Sequence, residues 1–257
     1  MTHFFITVGT SQLENEYLRK KELTADQLET IDDLIRGVSR NEARDSDSAN
    51  RMLQEKLVKG WQYPAQTGYL FDINEGNPFG AEITTLWALL HKQGKPFAVQ
   101  GEDYFFLLTS GTMPGRLAGQ VLCDFLMNTW NVPNQRVRNN YEISSLKDNP
   151  RTEDDAKEAL FNFAKTLSTA LEHSAQIASL HKPARQFIMS GGFKSLIPVL
   201  DWFSLAYQIS LNYLFEKSEH PVRDLLLEPL EINVRGSIRD LIQNKYPGIQ
   251  LPPLDRF

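Results

Sequence analysis

The chain has 257 residues, enough for one α/β domain with an appendage. Its formal net charge is −5, which speaks against a broad nucleic-acid-binding surface, though not against a small anion held in a pocket by a few local donors. A single cysteine, Cys123, excludes an intramolecular disulfide, and the five scattered histidines show no metal-site spacing with it, so neither a metal nor a cofactor is expected.

In chain order, Phe4, Phe5, Ile6 and Val8 form a short apolar strand that opens into Gly9-Thr10-Ser11. Leu28, Ile31, Leu34 and Ile35 mark an amphipathic helix, with Thr24 and Gln27 placed as a capping box. Residues 41–50 are a polar, charge-rich connection, and Met52, Leu53 and Leu57 mark a second short helix. Residues 15–60 thus read as a helical insertion, either a lid or ordinary packing. Gly76, Pro78 and Gly80 punctuate the approach to a helix over Ala81–Lys92. Tyr104 to Leu108 is strand-like, and Thr109-Ser110-Gly111-Thr112 form a hydroxyl-rich turn. A helix follows with Leu117, Ala118, Val121, Leu122, Phe125 and Leu126 on its apolar side and Arg116 in its first turn. Hydroxyl capping alone would account for that turn without any ligand. Cys123 falls on the apolar side as a small core residue.

Arg136 to Ile143 reads as a strand whose polar residues suit an edge. Thr152 opens a long helix reaching about Leu180, with Leu160, Phe163, Leu167, Ala170, Leu171 and Ile177 inward. Phe187, Ile188 and Met189 are a buried strand that stops at Ser190-Gly191-Gly192-Phe193-Lys194. Two glycines let backbone N–H groups approach a ligand, the following helix N-terminus adds partial positive charge, and Lys194 adds a full one. That combination suits phosphate, although a tight strand-to-helix turn also uses glycine without any ligand. From Ser195 to Phe215 only Asp201 is charged, which mimics a membrane span. Pro198, Gln208 and Asn212 instead divide it into a helix over 195–208 and a strand at Leu211–Phe215. Val222–Leu227 and Glu231–Val234 suggest a β pair, followed by a helix at 236–245 and a proline-rich tail.

Strands alternating with helices of this length imply parallel βαβ units, hence an α/β, Rossmann-like, mostly parallel sheet flanked by helices. Residues 1–216 form that domain and 217–257 a small β-hairpin and helix extension. In such sheets ligands sit at the carboxyl ends of the strands. If the first strand and the Phe187–Met189 strand are neighbours, their two loops converge on one site. A dinucleotide-binding Rossmann enzyme would need more glycines than Gly9 after the first strand. With no basic region and apolar stretch at the start, no secretory signal is expected, and a cytoplasmic, non-membrane protein is.

Three segments carry a resemblance: Phe5–Leu13 (Phe-Ile-Thr-Val-Gly-Thr-Ser-Gln-Leu), Leu107–Gly119 and Ser190–Lys194. They resemble the CRISPR-associated Rossmann-fold (CARF) proteins, closest to the stand-alone ring nucleases. The similarity extends to Ala81-Glu82-Ile83 and Asn212–Phe215. Ser190 stands where the family commonly has threonine, and Gly111 where it often has aspartate, which bears on ligand size and selectivity. The resemblance implies metal-independent cleavage of cyclic oligoadenylate, foremost cyclic tetra-adenylate. The ribose 2′-hydroxyl would attack, giving linear di-adenylate ending in a 2′,3′-cyclic phosphate and switching off type III CRISPR signalling. It assigns catalysis to Ser11 and Lys194. Ring contacts would come from Gly9, Thr10, Thr109, Ser110, Gly111, Thr112, Arg116, Ser190, Gly191, Gly192 and Phe193. It implies a homodimer enclosing one ring. The alternative is a non-catalytic cyclic-oligoadenylate sensor acting through a partner. The Arg-x4–6-His motif of the family's ribonuclease effectors precedes none of the five histidines.

Overall fold

The computed structural model describes residues 1–9, 81–92, 102–128, 130–144, 152–178, 182–189, 194–214, 222–224 and 231–257. Six strands form one sheet in the order β3-β2-β1-β4-β5-β6. They are β1 (Thr2–Val8), β2 (Tyr104–Ser110), β3 (Val137–Ile143), β4 (Ala184–Met189), β5 (Ser210–Leu214) and β6 (Val222–Asp224). β1 to β5 are mutually parallel, and β6 runs antiparallel along β5. The α/β Rossmann-like expectation therefore holds. The five described α-helices are α1 (Ala81–Lys92), α2 (Met113–Asn128), α3 (Glu153–Ile177), α4 (Ile197–Tyr207) and α5 (Ile232–Lys245).

Side-chain alternation along β1 separates two cores. Phe4, Ile6 and Val8 pack with Ile83, Leu86, Leu122 and Phe125 of α1 and α2, together with Cys123. Phe5, on the opposite face, joins Phe163, Leu167 and Leu171 of α3, Phe203 of α4 and Ile242 of α5. This is the period-2 pattern of a strand buried on both faces, and it explains why the central strands are continuously apolar. Aromatic rings stack across the β1–β2 ladder, Phe4 on Phe105 at 5.2 Å and Phe5 on Phe106 at 4.9 Å.

Local chemistry sets the helix boundaries. Thr152 caps α3 reciprocally: its hydroxyl accepts the Asp155 N–H at 3.0 Å, and the Asp155 carboxylate accepts the Thr152 N–H at 3.2 Å. The helix closes at Ile177, slightly before the expected end. Pro198 sits in the first turn of α4, where its missing N–H is harmless, and Gln208 closes the helix in the left-handed region at φ 54°. The membrane-like stretch is thus a helix and a strand, and no helix among the described residues is long and apolar enough to cross a membrane.

Three boundaries differ from expectation. β2 continues through Thr109 and Ser110, because both pair with β3 (Thr109 with Glu142, Ser110 with Ile143). β6 is described only over Val222–Asp224. Glu231–Val234 is not a strand: Ile232 and Val234 open α5, exposed at 57% and 44%, while Ile242 on the same helix is buried. The expected hairpin is thereby replaced by one strand on the β5 edge and a helix packed on α4. The helices expected around Thr24–Ile35 and Met52–Leu57, with the rest of 15–60, lie outside the described residues.

Candidate functional site at the carboxyl edge of the sheet

β1 is the strand at which the order reverses, flanked by β2 on one side and β4 on the other. The ladders run level to the strand ends, with Val8 opposite Thr109 and Thr7 opposite Met189. Neighbouring strands lie about 4.8 Å apart. The backbone therefore leaves the sheet side by side at Val8, Ser110 and Met189, at the switch point where doubly wound sheets bind ligands. The expected adjacency of the first strand and the Phe187–Met189 strand is what the sheet contains.

Of the expected site residues, Gly9, Thr109, Ser110, Gly111, Thr112 and Arg116 are described at this edge. Thr10, Ser11, Ser190, Gly191, Gly192 and Phe193 lie outside the described residues. Lys194 begins a 3-10 turn, Lys194–Leu196, that leads directly into α4.

The β2–α2 turn is built from hydroxyls and bare backbone. The Gly111 N–H donates to the Ile143 carbonyl at 3.0 Å and extends the β2–β3 ladder past the strand end. The Ser110 and Thr112 hydroxyls share a hydrogen bond at 2.7 Å, and the Thr112 hydroxyl also accepts the Gly115 N–H at 3.3 Å. Thr112 thus caps α2, as the ligand-free account of this turn requires. Thr109 and Ser110 are buried. Gly115 and Gly119 let α2 lie directly on the end of β2. A Cβ on Gly115 would fall 2.0 Å from the Ser110 hydroxyl oxygen and 2.6 Å from its carbonyl, and one on Gly119 would fall 2.4 Å from the Thr109 methyl. Arg116 is exposed and pairs with Glu142 of β3 at 3.5 Å.

On the other side of β1 the edge is supported by a carboxylate. Glu82, in the first turn of α1, is fully buried and accepts the Gly9 N–H at 2.7 Å. The α1 N-terminus suits that negative charge. One turn on, the buried Thr85 hydroxyl donates to the Ala81 carbonyl at 2.7 Å. Asn212 of β5, paired with Ile188 in the ladder, is also fully buried; its amide N–H donates to the Phe187 carbonyl at 3.4 Å. Sequence reasoning gave Glu82 and Asn212 no role. The signal that could have found them was that both lie in stretches, Ala81-Glu82-Ile83 and Asn212–Phe215, that share the CARF resemblance. Among the described residues no group of three or more His, Cys, Asp or Glu side chains is placed to hold a metal ion.

A doubly wound parallel sheet flanked by helices, with Gly9 and the Ser110–Thr112 turn at its carboxyl edge, is a Rossmann-like domain of the kind the CARF resemblance implies. The sequence pattern of the CRISPR-associated protein family Cas_APE2256 matches residues 77–223, more than half of the chain, from just before α1 to β6. The chain belongs to that CRISPR-associated family, in keeping with a CARF protein. No curated protein matches it.

Proposed function

We propose that the protein is a ring nuclease that binds a cyclic oligoadenylate, foremost cyclic tetra-adenylate, at the carboxyl edge of the sheet and opens it without a metal ion. The observation that carries this reading is the level, parallel pairing of β1 with β4 at the switch point. It starts the Gly9-Thr10-Ser11 and Ser190–Lys194 segments from adjacent strands although they are far apart in sequence. Membership of a CRISPR-associated family supports the choice of ligand.

The chemistry asks little of the protein. A ribonucleotide carries its own nucleophile, the 2′-hydroxyl, beside the phosphodiester. When that oxygen attacks phosphorus it loses its proton to solvent, the P–O5′ bond breaks, and the 5′ oxygen gains a proton. The product is a 2′,3′-cyclic phosphate. Holding the attacking and leaving oxygens in line supplies much of the acceleration. In this reading Ser11 orients the 2′-hydroxyl or a phosphoryl oxygen, and the Lys194 ammonium stabilises charge developing on the phosphoryl group. A first cut opens the ring to linear tetra-adenylate, a second at the opposite phosphodiester gives two linear di-adenylates each ending in a 2′,3′-cyclic phosphate, and their formation ends the type III CRISPR signal in the cytoplasm.

The test is incubation of the purified protein with labelled cyclic tri-, tetra- and hexa-adenylate in EDTA, beside Ser11→Ala and Lys194→Ala. Cyclic tetra-adenylate should be cleaved, and each variant should lose roughly 100-fold or more in single-turnover rate, the scale of removing one transition-state donor. Tight binding without cleavage by the unaltered protein would replace the enzyme with a sensor acting through a partner. Absence of binding would sink both readings.

A further inference from the structure

We propose that Glu82 is a positioning residue that fixes the direction in which the chain leaves β1 at Gly9, and, on the ring-nuclease reading, thereby supports the reaction at this edge. Burying a carboxylate completely is costly unless its charge is met by strong hydrogen bonds, so a fully buried one has a specific task. One such bond is the 2.7 Å one from the Gly9 N–H. Gly9 is the first residue past β1, beyond the β-ladder bonds that fix Thr2–Val8. A glycine there is the most conformationally free residue the chain can offer, and it needs an external restraint to hold one direction. Glu82 supplies it from a rigid element: α1 is anchored by Ile83 and Leu86 in the core shared with Val8. Thr10 and Ser11 follow Gly9 directly in the sequence, so the restraint on Gly9 acts at the start of the segment to which the ring-nuclease reading assigns catalysis.

The catalytic half of this inference rests on the ring-nuclease reading; the structural half does not. Glu82→Asp keeps the charge but shortens its reach by one methylene. Glu82→Gln keeps the length and an acceptor oxygen but removes the charge. Amide hydrogen exchange at Gly9 in the ligand-free protein reads the restraint without any activity. In Glu82→Asp the Gly9 amide should exchange roughly 10- to 100-fold faster, the scale of a lost charge-assisted hydrogen bond, with the strand amides of β1, β2 and β4 unchanged. In Glu82→Gln it should stay within about threefold of the parent, because a neutral acceptor still satisfies the donor.

Single-turnover cleavage of cyclic tetra-adenylate should fall about tenfold or more in Glu82→Asp, with binding affinity changed less than about threefold, since an orientation defect acts on the chemical step. Glu82→Gln should restore most of that rate. Unchanged Gly9 exchange in Glu82→Asp, or protection lost equally across all three strands, would overturn the proposal. So would equal loss of cleavage in the Asp and Gln variants, which would make charge rather than position the operative property. If the unaltered protein neither binds nor cleaves the ring, the ring-nuclease reading fails, while Gly9 exchange in the two variants still decides the role of Glu82.

Discussion

His3 shows how one residue can tie stability to pH. It is fully buried in β1, and its Nδ1 lies 2.6 Å from the Ser174 hydroxyl, which also accepts the Arg185 Nε–H at 3.0 Å. The Arg185 guanidinium sits 4.1 Å over the Phe257 ring. The Ser174 hydroxyl can donate to Nδ1 while accepting from Arg185, an arrangement that suits the neutral imidazole. Burial, aided by the nearby Arg185 charge and only partly opposed by Asp103, lowers the His3 pKa from 6.5 to about 4. The unfolded chain therefore binds this proton more readily than the folded one. The stabilisation from keeping His3 neutral is complete above pH 6.5 and is lost as pH falls from 6.5 to about 4. The full effect is about 3 kcal/mol by linkage. Urea midpoints should fall between pH 6.5 and 5, before most carboxylates titrate, and the slope should flatten in His3→Asn, whose amide oxygen takes over from Nδ1. An equal slope in both proteins would show that His3 is not responsible.

Among the elements, α2 and α5 make opposite uses of glycine. The closeness of α2 to β2 exists because Gly115 and Gly119 have no side chains. Gly115→Ala would drive a methyl into the Ser110 carbonyl and disturb the Ser110–Thr112 hydroxyl pair. It should destabilise by about 1–3 kcal/mol, outweighing the gain in helix propensity. Gly236 in α5 has nothing within 4 Å of a built Cβ, so Gly236→Ala should stabilise by about 1 kcal/mol. Urea unfolding of the two variants should give shifts of opposite sign.

The sequence announces such elements unevenly. The bounds of α1 were legible because Gly76, Pro78 and Gly80, poor helix formers, precede it in the sequence and the apolar residues keep helical spacing. The polar end of β2 looked like loop, since nothing local reveals that Thr109 and Ser110 still pair with β3. Glu231–Val234 alternates like a strand over four residues, and only Ile238 and Ile242 further on restore the helical period. At the candidate site, the β2–α2 turn was readable from its glycine and hydroxyls. The carboxylate bonded to Gly9 was not, because a charged residue in a first helical turn is ordinarily solvated.

At the scale of the whole molecule, the proposed ligand bears on assembly. A cyclic tetranucleotide has two-fold symmetry, and a closed two-fold dimer can offer both copies of each turn to it. We expect two chains per ring: light scattering with cyclic tetra-adenylate bound should give twice the mass of the single chain. A monomer under those conditions would mean that one copy of the edge suffices, and the two-fold arrangement would have to be abandoned.

The outer flank of the sheet carries one more implication. β3 has β2 on one side and no described strand on the other, and its register slips by one residue between Phe106 and Leu108, so that between Arg138 and Tyr141 β3 carries one residue more than β2. A straight run of free amides and carbonyls there would invite an extended peptide to join the sheet. The slip throws those groups out of step, so an incoming strand meets a mismatched template. Under crowded or partly denaturing conditions, this flank should resist fibril growth.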